Sequence, residues 1–133
     1  MVDAVTSQTL VDGERRAVMR FTNISDGTGE SDITKVDVST LNTNLKGESC
    51  TKVRIRKAKF SNSGMSVKIA WDADTDVTAI VIGSDSGELD FEEYGDIINN
   101  AGTGVTGDIK FSTAGQSAND TYDITLHMIK EYG

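Results

Sequence analysis

The residues able to do chemistry are few, and the densest group of them is acidic. Asp72-Ala73-Asp74-Thr75-Asp76 places a carboxylate at every second position. Clustered oxygen ligands suit a hard cation, and this spacing matches positions 1, 3 and 5 of an EF-hand calcium loop. Such a loop needs Gly at position 6 and Glu at position 12. The chain has Val77 and Gly83 there, so an EF-hand is excluded. Asp72, Asp74 and Asp76 remain candidates for a looser Ca²⁺ site, against the alternative of an aspartate-rich turn. Asp26, Thr28, Glu30 and Asp32 form a sparser cluster of the same kind.

Gly102-Thr103-Gly104-Val105-Thr106-Gly107 has the G-x-G-x-x-G spacing of dinucleotide sites. Those glycines follow a strand and open a helix whose N-terminus meets the pyrophosphate. Here Asn99-Asn100-Ala101 precedes them and the strand-like stretch from Asp108 to Thr113 follows, so the context is wrong. His127 is the one histidine, and any Ser-His-Asp or Cys-His arrangement must use it. Its parity in an alternating strand turns it outward. Cys50, between Ser49 and Thr51, reads as a polar-loop residue without metal-ligand spacing. Glu92 and Glu93, read as strand neighbours, would point to opposite faces. Asn23-Ile24-Ser25 and Asn119-Asp120-Thr121 are formal glycosylation sequons. They matter only in a secreted chain, and Met1–Ala4 lacks the basic-then-apolar pattern of a signal peptide. The expectation is a non-enzymatic chain with no catalytic residue and no cofactor.

A basic stripe is the remaining candidate. Lys52, Arg54 and Arg56 share one face of a strand, and Lys57 and Lys59 follow. These five are the expected partner-binding residues. They would meet an acidic protein surface, or an acidic strand such as Glu88-Asp90-Glu92 of a neighbouring subunit. The alternative is a solvated or internally paired strand face, because opposite charges commonly pair across strands.

Charge and composition set the frame for these residues. The 133-residue chain suits a single domain. Its net charge of −8 is uneven: residues 61–133 hold 3 Lys+Arg against 13 Asp+Glu, while residues 1–60 are slightly basic. An acidic half argues against nucleic-acid binding, which needs cations to displace counterions. No apolar run approaches the ~20 residues of a membrane-spanning helix. The chain has 11 Val, 11 Ile and 15 Thr against 5 Leu, side chains that pack well on a pleated sheet. With no proline, every strand keeps its N–H donors.

The elements follow from alternation. Residues 2–11 read as an extended arm or first strand. Ala17, Met19 and Phe21 share one face of a strand, as do Thr34, Val36 and Val38. Leu41 and Leu45 fit one helical turn or a long loop. Parity breaks at Arg56-Lys57, which predicts a β-bulge. Asn62-Ser63-Gly64 predicts a hairpin turn that brings Phe60 and Met65 together. Met65, Val67, Ile69 and Trp71 alternate best, with Trp71 as a core anchor. The apolar run Val77 to Ile82 predicts a strand buried on both faces. A short acidic strand carries Leu89 and Phe91, residues 94–107 form a loop, Ile109 and Phe111 share a face, and the last strand buries Tyr122, Ile124, Leu126 and Met128. Tyr94 and Tyr132 are the aromatics expected to be exposed. The sum is an all-β, single-domain β-sandwich or jelly roll of about eight strands over residues 16–133, with residues 1–15 as an N-terminal arm or first strand.

Three stretches carry a resemblance: residues 9–23 (TLVDGERRAVMRFTN), 65–72 (MSVKIAWD) and 99–109 (NNAGTGVTGDI). Together the chain resembles small virion structural proteins of aquatic tailed bacteriophages, of the capsid decoration (cement) type. The resemblance implies a part of the outer capsid surface, made in the host cytoplasm, that clamps major capsid subunits of the same phage as a homo-oligomer, most readily a trimer. It implies no nucleic-acid or membrane partner. The alternatives are a head–tail connector or tail protein, or a β-sandwich that binds carbohydrate.

Overall fold

The computed structural model describes residues 4–27, 29–115 and 117–132. Residues 1–3 of the expected arm, and Thr28 of the sparser acidic cluster, lie outside them. The described residues form nine strands: β1 (Ala4–Asp12), β2 (Arg16–Asp26), β3 (Ile33–Val36), β4 (Cys50–Ser63), β5 (Ser66–Trp71), β6 (Val77–Ile82), β7 (Ser86–Asp90), β8 (Ile109–Ala114) and β9 (Ala118–Tyr132). Two short 3-10 turns, Val38–Thr40 and Glu92–Tyr94, interrupt the connections.

The strands make two antiparallel sheets, ordered β1-β2-β9-β4-β7 and β3-β8-β5-β6. Strands β2 to β9 thus divide into two four-stranded layers whose neighbours come from opposite ends of the chain. That winding is a jelly roll, and β1 adds a fifth strand beside β2. The layers bury the alternating residues of both inner faces. Trp71, Tyr122, Phe21 and Phe111 are almost fully enclosed. Phe111 stands edge-to-face against Phe21 at 5.1 Å and against Tyr122 at 5.8 Å, a favoured aromatic geometry.

Most of the alternation is realised, including Trp71 in the core. The register of β4 against β9 shifts between Ile55 and Lys57, so the bulge stands where parity breaks. It lets Ile55 and Ala58 both face the core although three positions separate them.

Several expectations are corrected. Phe60 and Met65 do not flank a hairpin. Ser63 pairs with Thr121 in one sheet and Ser66 with Ala114 in the other, so the chain crosses between layers at Gly64. Gly64 has φ +83°, and a Cβ there would lie 2.2 Å from the Asp120 carboxylate. Val77–Ile82 is an edge strand with one covered face: Ile80 and Ile82 are buried and Val81 is exposed. The Thr34–Val38 strand stops at Val36, where Asp37 caps a 3-10 turn by accepting from the Ser39 N–H. Leu41 is buried and Leu45 exposed, in a loop. Cys50 is buried at the start of β4, and that burial pushes its thiol pKa up. Glu92 and Glu93 lie in a 3-10 turn. Tyr94 is exposed, but Tyr132 is only half-exposed and its hydroxyl donates to the Glu14 carbonyl.

Candidate functional site

The outer face of the five-stranded sheet gathers the charged side chains. On β4 it presents Lys52, Arg54, Lys57 and Lys59, with Arg56 at the bulge. Alternate residues of β9 and β2 lie alongside: Thr125 is opposite Lys59 and Arg20, His127 opposite Lys57 and Val18, and Ile129 opposite Arg54 and Arg16.

The expected acidic partner strand is present, but in the same chain. β7 pairs with β4, setting Lys57 against Asp90 and Lys59 against Glu88, each ion pair at 3.7 Å. Glu88-Asp90 is therefore already used within the sheet and is not free for a neighbour's stripe. These two pairs are solvent-exposed, and such pairs contribute only about 0–1 kcal/mol. Arg56 is held more firmly. Its Nε donates to Asp96 at 3.0 Å and its Nη2 at 3.4 Å, while Arg54 Nε lies 3.9 Å from the same carboxylate. The Asp96 side chain is 2% exposed, so two arginines neutralise one buried charge. Paired backbone hydrogen bonds between Ile55 and Ile97 fix that loop to β4. Lys52 forms no ion pair among the described residues. Asp96 carried no sequence signal, because its meaning depends on a loop returning to the bulge.

The acidic triplet and the glycine run, read as separate candidates, meet at one end of the sandwich. Asp72 takes the Lys110 ammonium at 2.9 Å and the Thr106 hydroxyl at 2.7 Å; Asp76 lies 3.5 Å from the same ammonium. The Asp74 N–H donates to the Thr103 carbonyl and the Thr106 N–H to the Asp72 carbonyl. Lys110 thus already supplies a cation where Asp72 and Asp76 converge, and it holds the Asp72 carboxyl below the usual range. Among the described residues no three His, Cys, Asp or Glu side chains are placed to hold a metal ion. In the sparser cluster, Glu30 accepts from Lys35 at 2.5 Å, Tyr122 at 2.6 Å and Asn23 at 3.2 Å, an internal brace between the sheets.

Two open clefts mark the outer face. One, about 380 Å³, lies among Arg20, Lys59, Glu88 and Asp123 and is balanced in charge. Arg20 clamps Asp123 there with two hydrogen bonds, at 3.0 and 2.6 Å. The other, about 290 Å³, lies among Arg16, Arg56, Lys57, Glu92 and His127, over Val18 and Ile129. Val18 and Ile129 face outward yet are nearly buried, at 6% and 3% exposed. Burial first, then the charges of Lys59, Lys57 and Arg16, hold the His127 pKa below the usual histidine value. The sequence marked His127 as outward-facing, and it is half-exposed on this face. Arg16 was legible only as the polar side of a strand.

No protein-family model matches the chain, and no curated protein matches it. Among solved structures it is similar to a cupin superfamily protein from Desulfitobacterium hafniense DCB-2, at 10% identity and a TM-score of 0.36, with 98% of this chain and 80% of that chain covered.

Proposed function

We propose that this chain is a non-enzymatic structural protein of a tailed-phage particle, of the capsid decoration type, which docks by adding β1 to a neighbouring sheet. The observation that carries the proposal is the state of β1. It has no charge, glycine or proline from Ala4 through Val11. Val5 to Val11 are all exposed although the strand pairs with β2 over its length. The four-stranded sheet does not reach under it. Natural edge strands are usually blunted by charge, proline, bulges or brevity. Of the other edges, β7 carries Glu88 and Asp90, β3 has four residues, and β6, neutral like β1, has six and buries Ile80 and Ile82. β1 has a single bulge between Thr9 and Val11 and otherwise offers a neutral backbone ladder for strand addition. The virion-protein resemblance of residues 9–23, 65–72 and 99–109 supplies the identity of the neighbour, the major capsid protein. Repeated around a symmetric shell, many modest contacts of this kind give avidity.

Quantitative mass spectrometry of purified particles tests the reading, with copy number expected to match capsid lattice positions. A few copies per particle overturns decoration in favour of a connector or tail role. Deleting residues 2–11 is expected to abolish attachment and leave the domain folded, because Asp12 and the whole core remain. Attachment unchanged by that deletion removes β1 from the mechanism.

A further inference from the structure

We infer that the cleft between Arg16, Lys57 and His127 is a binding site for an oxyanion, a carboxylate or a phosphoryl group. The inference does not depend on β1 or on the virion reading. Three cations, Arg16, Arg56 and Lys57, line the cleft against one carboxylate, Glu92. Asp96 and Asp90, outside the lining, pair with Arg56 and Lys57, so Arg16 is the cation left over. The neighbouring cleft, with two cations and two carboxylates, has no such excess.

The donors are also available. The Arg16 side chain has no hydrogen bond or ion pair among the described residues, so its guanidinium fork is free. Arg56 uses Nε and Nη2 on Asp96 and keeps Nη1. Lys57 reaches Asp90 only at 3.7 Å. His127 has no hydrogen-bond partner among the described residues. Val18 and Ile129 give the cleft an apolar floor, where a charge-assisted hydrogen bond is stronger than in open water. The charged groups around the cleft come from every neighbouring element: Arg16 from β2, Arg56, Lys57 and Lys59 from β4, Glu88 and Asp90 from β7, and Glu92 from the following turn; of these, Lys59, Lys57, Arg16 and Glu88 act on His127. Burial first, and then the cations, hold the His127 pKa below its ordinary value. A bound anion offsets the cations and favours protonation of the imidazole.

Because His127 is the one histidine, its imidazole signal in ¹H–¹³C NMR reports on this cleft alone. The intact protein is titrated with inorganic phosphate and, separately, with glutamate, with chloride at matched ionic strength as the reference. The expected result is a saturable displacement of the signal and a rise of its titration midpoint by about one pH unit. Saturation by phosphate alone assigns a phosphoryl group, by glutamate alone a carboxylate, and by both a general oxyanion site. The response is expected to vanish in Arg16→Gln/Lys57→Gln and to persist in Arg20→Gln, which alters the other cleft. A displacement that only follows ionic strength, or that survives Arg16→Gln/Lys57→Gln, overturns the inference.

Discussion

Replacing Asp12 is expected to cost far more stability than replacing Lys130, although the two form one ion pair. Lys130 lies on the core side of β9 with its side chain 0% exposed. Its ammonium meets the Asp12 carboxylate and, at 3.2 Å, the Asn42 carbonyl. Asp12→Ala leaves a buried ammonium with one carbonyl partner. Breaking a buried pair from that side costs about 3–5 kcal/mol. Lys130→Met keeps an apolar stem and removes the charge. Asp12, 17% exposed, then keeps the Asn42 N–H at 3.0 Å and gains water, so the loss is about 1 kcal/mol. An unfolding entropy of about 2.1 cal/mol/K per residue gives roughly 0.28 kcal/mol/K for 133 residues. Asp12→Ala should then lower Tm by about 11–18 °C, and Lys130→Met by about 4 °C. The double variant should return to within about 2 kcal/mol of the parent, since no charge is left stranded. Urea and thermal melts of the four proteins measure this. A Lys130→Met variant as unstable as Asp12→Ala refutes the reasoning, because the stranded ammonium would not be the source of the cost.

Other outcomes follow from the same geometry. Gly107→Ala should unfold the protein or cost more than about 3 kcal/mol by urea melt, because its φ is +88° and a Cβ would lie 1.9 Å from the Thr51 carbonyl oxygen. Gly47→Ala, with φ +80° and open space, should cost only about 1–2 kcal/mol. Trp71 is the one tryptophan and is fully buried, so native emission should be blue-shifted and poorly quenched by iodide; strong quenching would contradict its place in the core. Because the folded His127 pKa is lowered, the unfolded chain binds more protons below its own value of about 6.5. The histidine's contribution is then complete above about pH 6.5 and is lost as pH falls through the folded value. His127→Gln should flatten that fall in a pH series of urea midpoints. Burial raises the Asp108 pKa against the opposing hydrogen bond from the Val38 N–H at 3.0 Å, so its contribution is present in acid and lost as pH rises through the folded value. Asp108→Asn keeps the acceptor and should gain on the parent at neutral pH, with the gain vanishing in acid.

The layers were legible in the sequence because alternation reports which side chains a sheet covers. Phe21, Trp71, Phe111, Tyr122 and Leu126 lie on the predicted faces and all are buried. The bulge at Arg56 was legible for the same reason, since an extra residue must break parity. Alternation says nothing of which strand lies beside which, and the errors follow from that gap. The apolar run at Val77–Ile82 looks doubly covered, but its strand is an edge. Asn62-Ser63-Gly64 looks like a hairpin turn, but a turn of that composition also serves a crossing between sheets. The stripe Lys52–Lys59 reads as a partner-binding face or as a solvated or internally paired one, because Glu88 and Asp90 become its neighbours only once β7 pairs with β4. The Arg16–His127 cleft needs β2, β9 and β4 side by side, although Arg16 and His127 are far apart in sequence.

The position of the Asp12–Lys130 lock bears on what β1 is for. Asp12 also accepts from the Asn42 N–H, and the Asn42 side chain donates to the Asp12 carbonyl, so three segments meet at the end of β1 nearest the core. From Val5 to Val11 the strand is held by its ladder with β2 and by little side-chain burial. The part of β1 that adds least to the core is therefore the part left neutral and accessible, while its stability is concentrated at the anchored end. A strand needed only for folding would bury an apolar face, as β2 does with Phe21 and Met19. A strand kept only for solubility would carry charge, as β7 does. β1 does neither, and an edge of that character becomes an aggregation site unless something occupies it. The net charge of −8 opposes self-association while Ala4–Val11 carry none of it, and the proposed docking by strand addition rests on that neutral stretch.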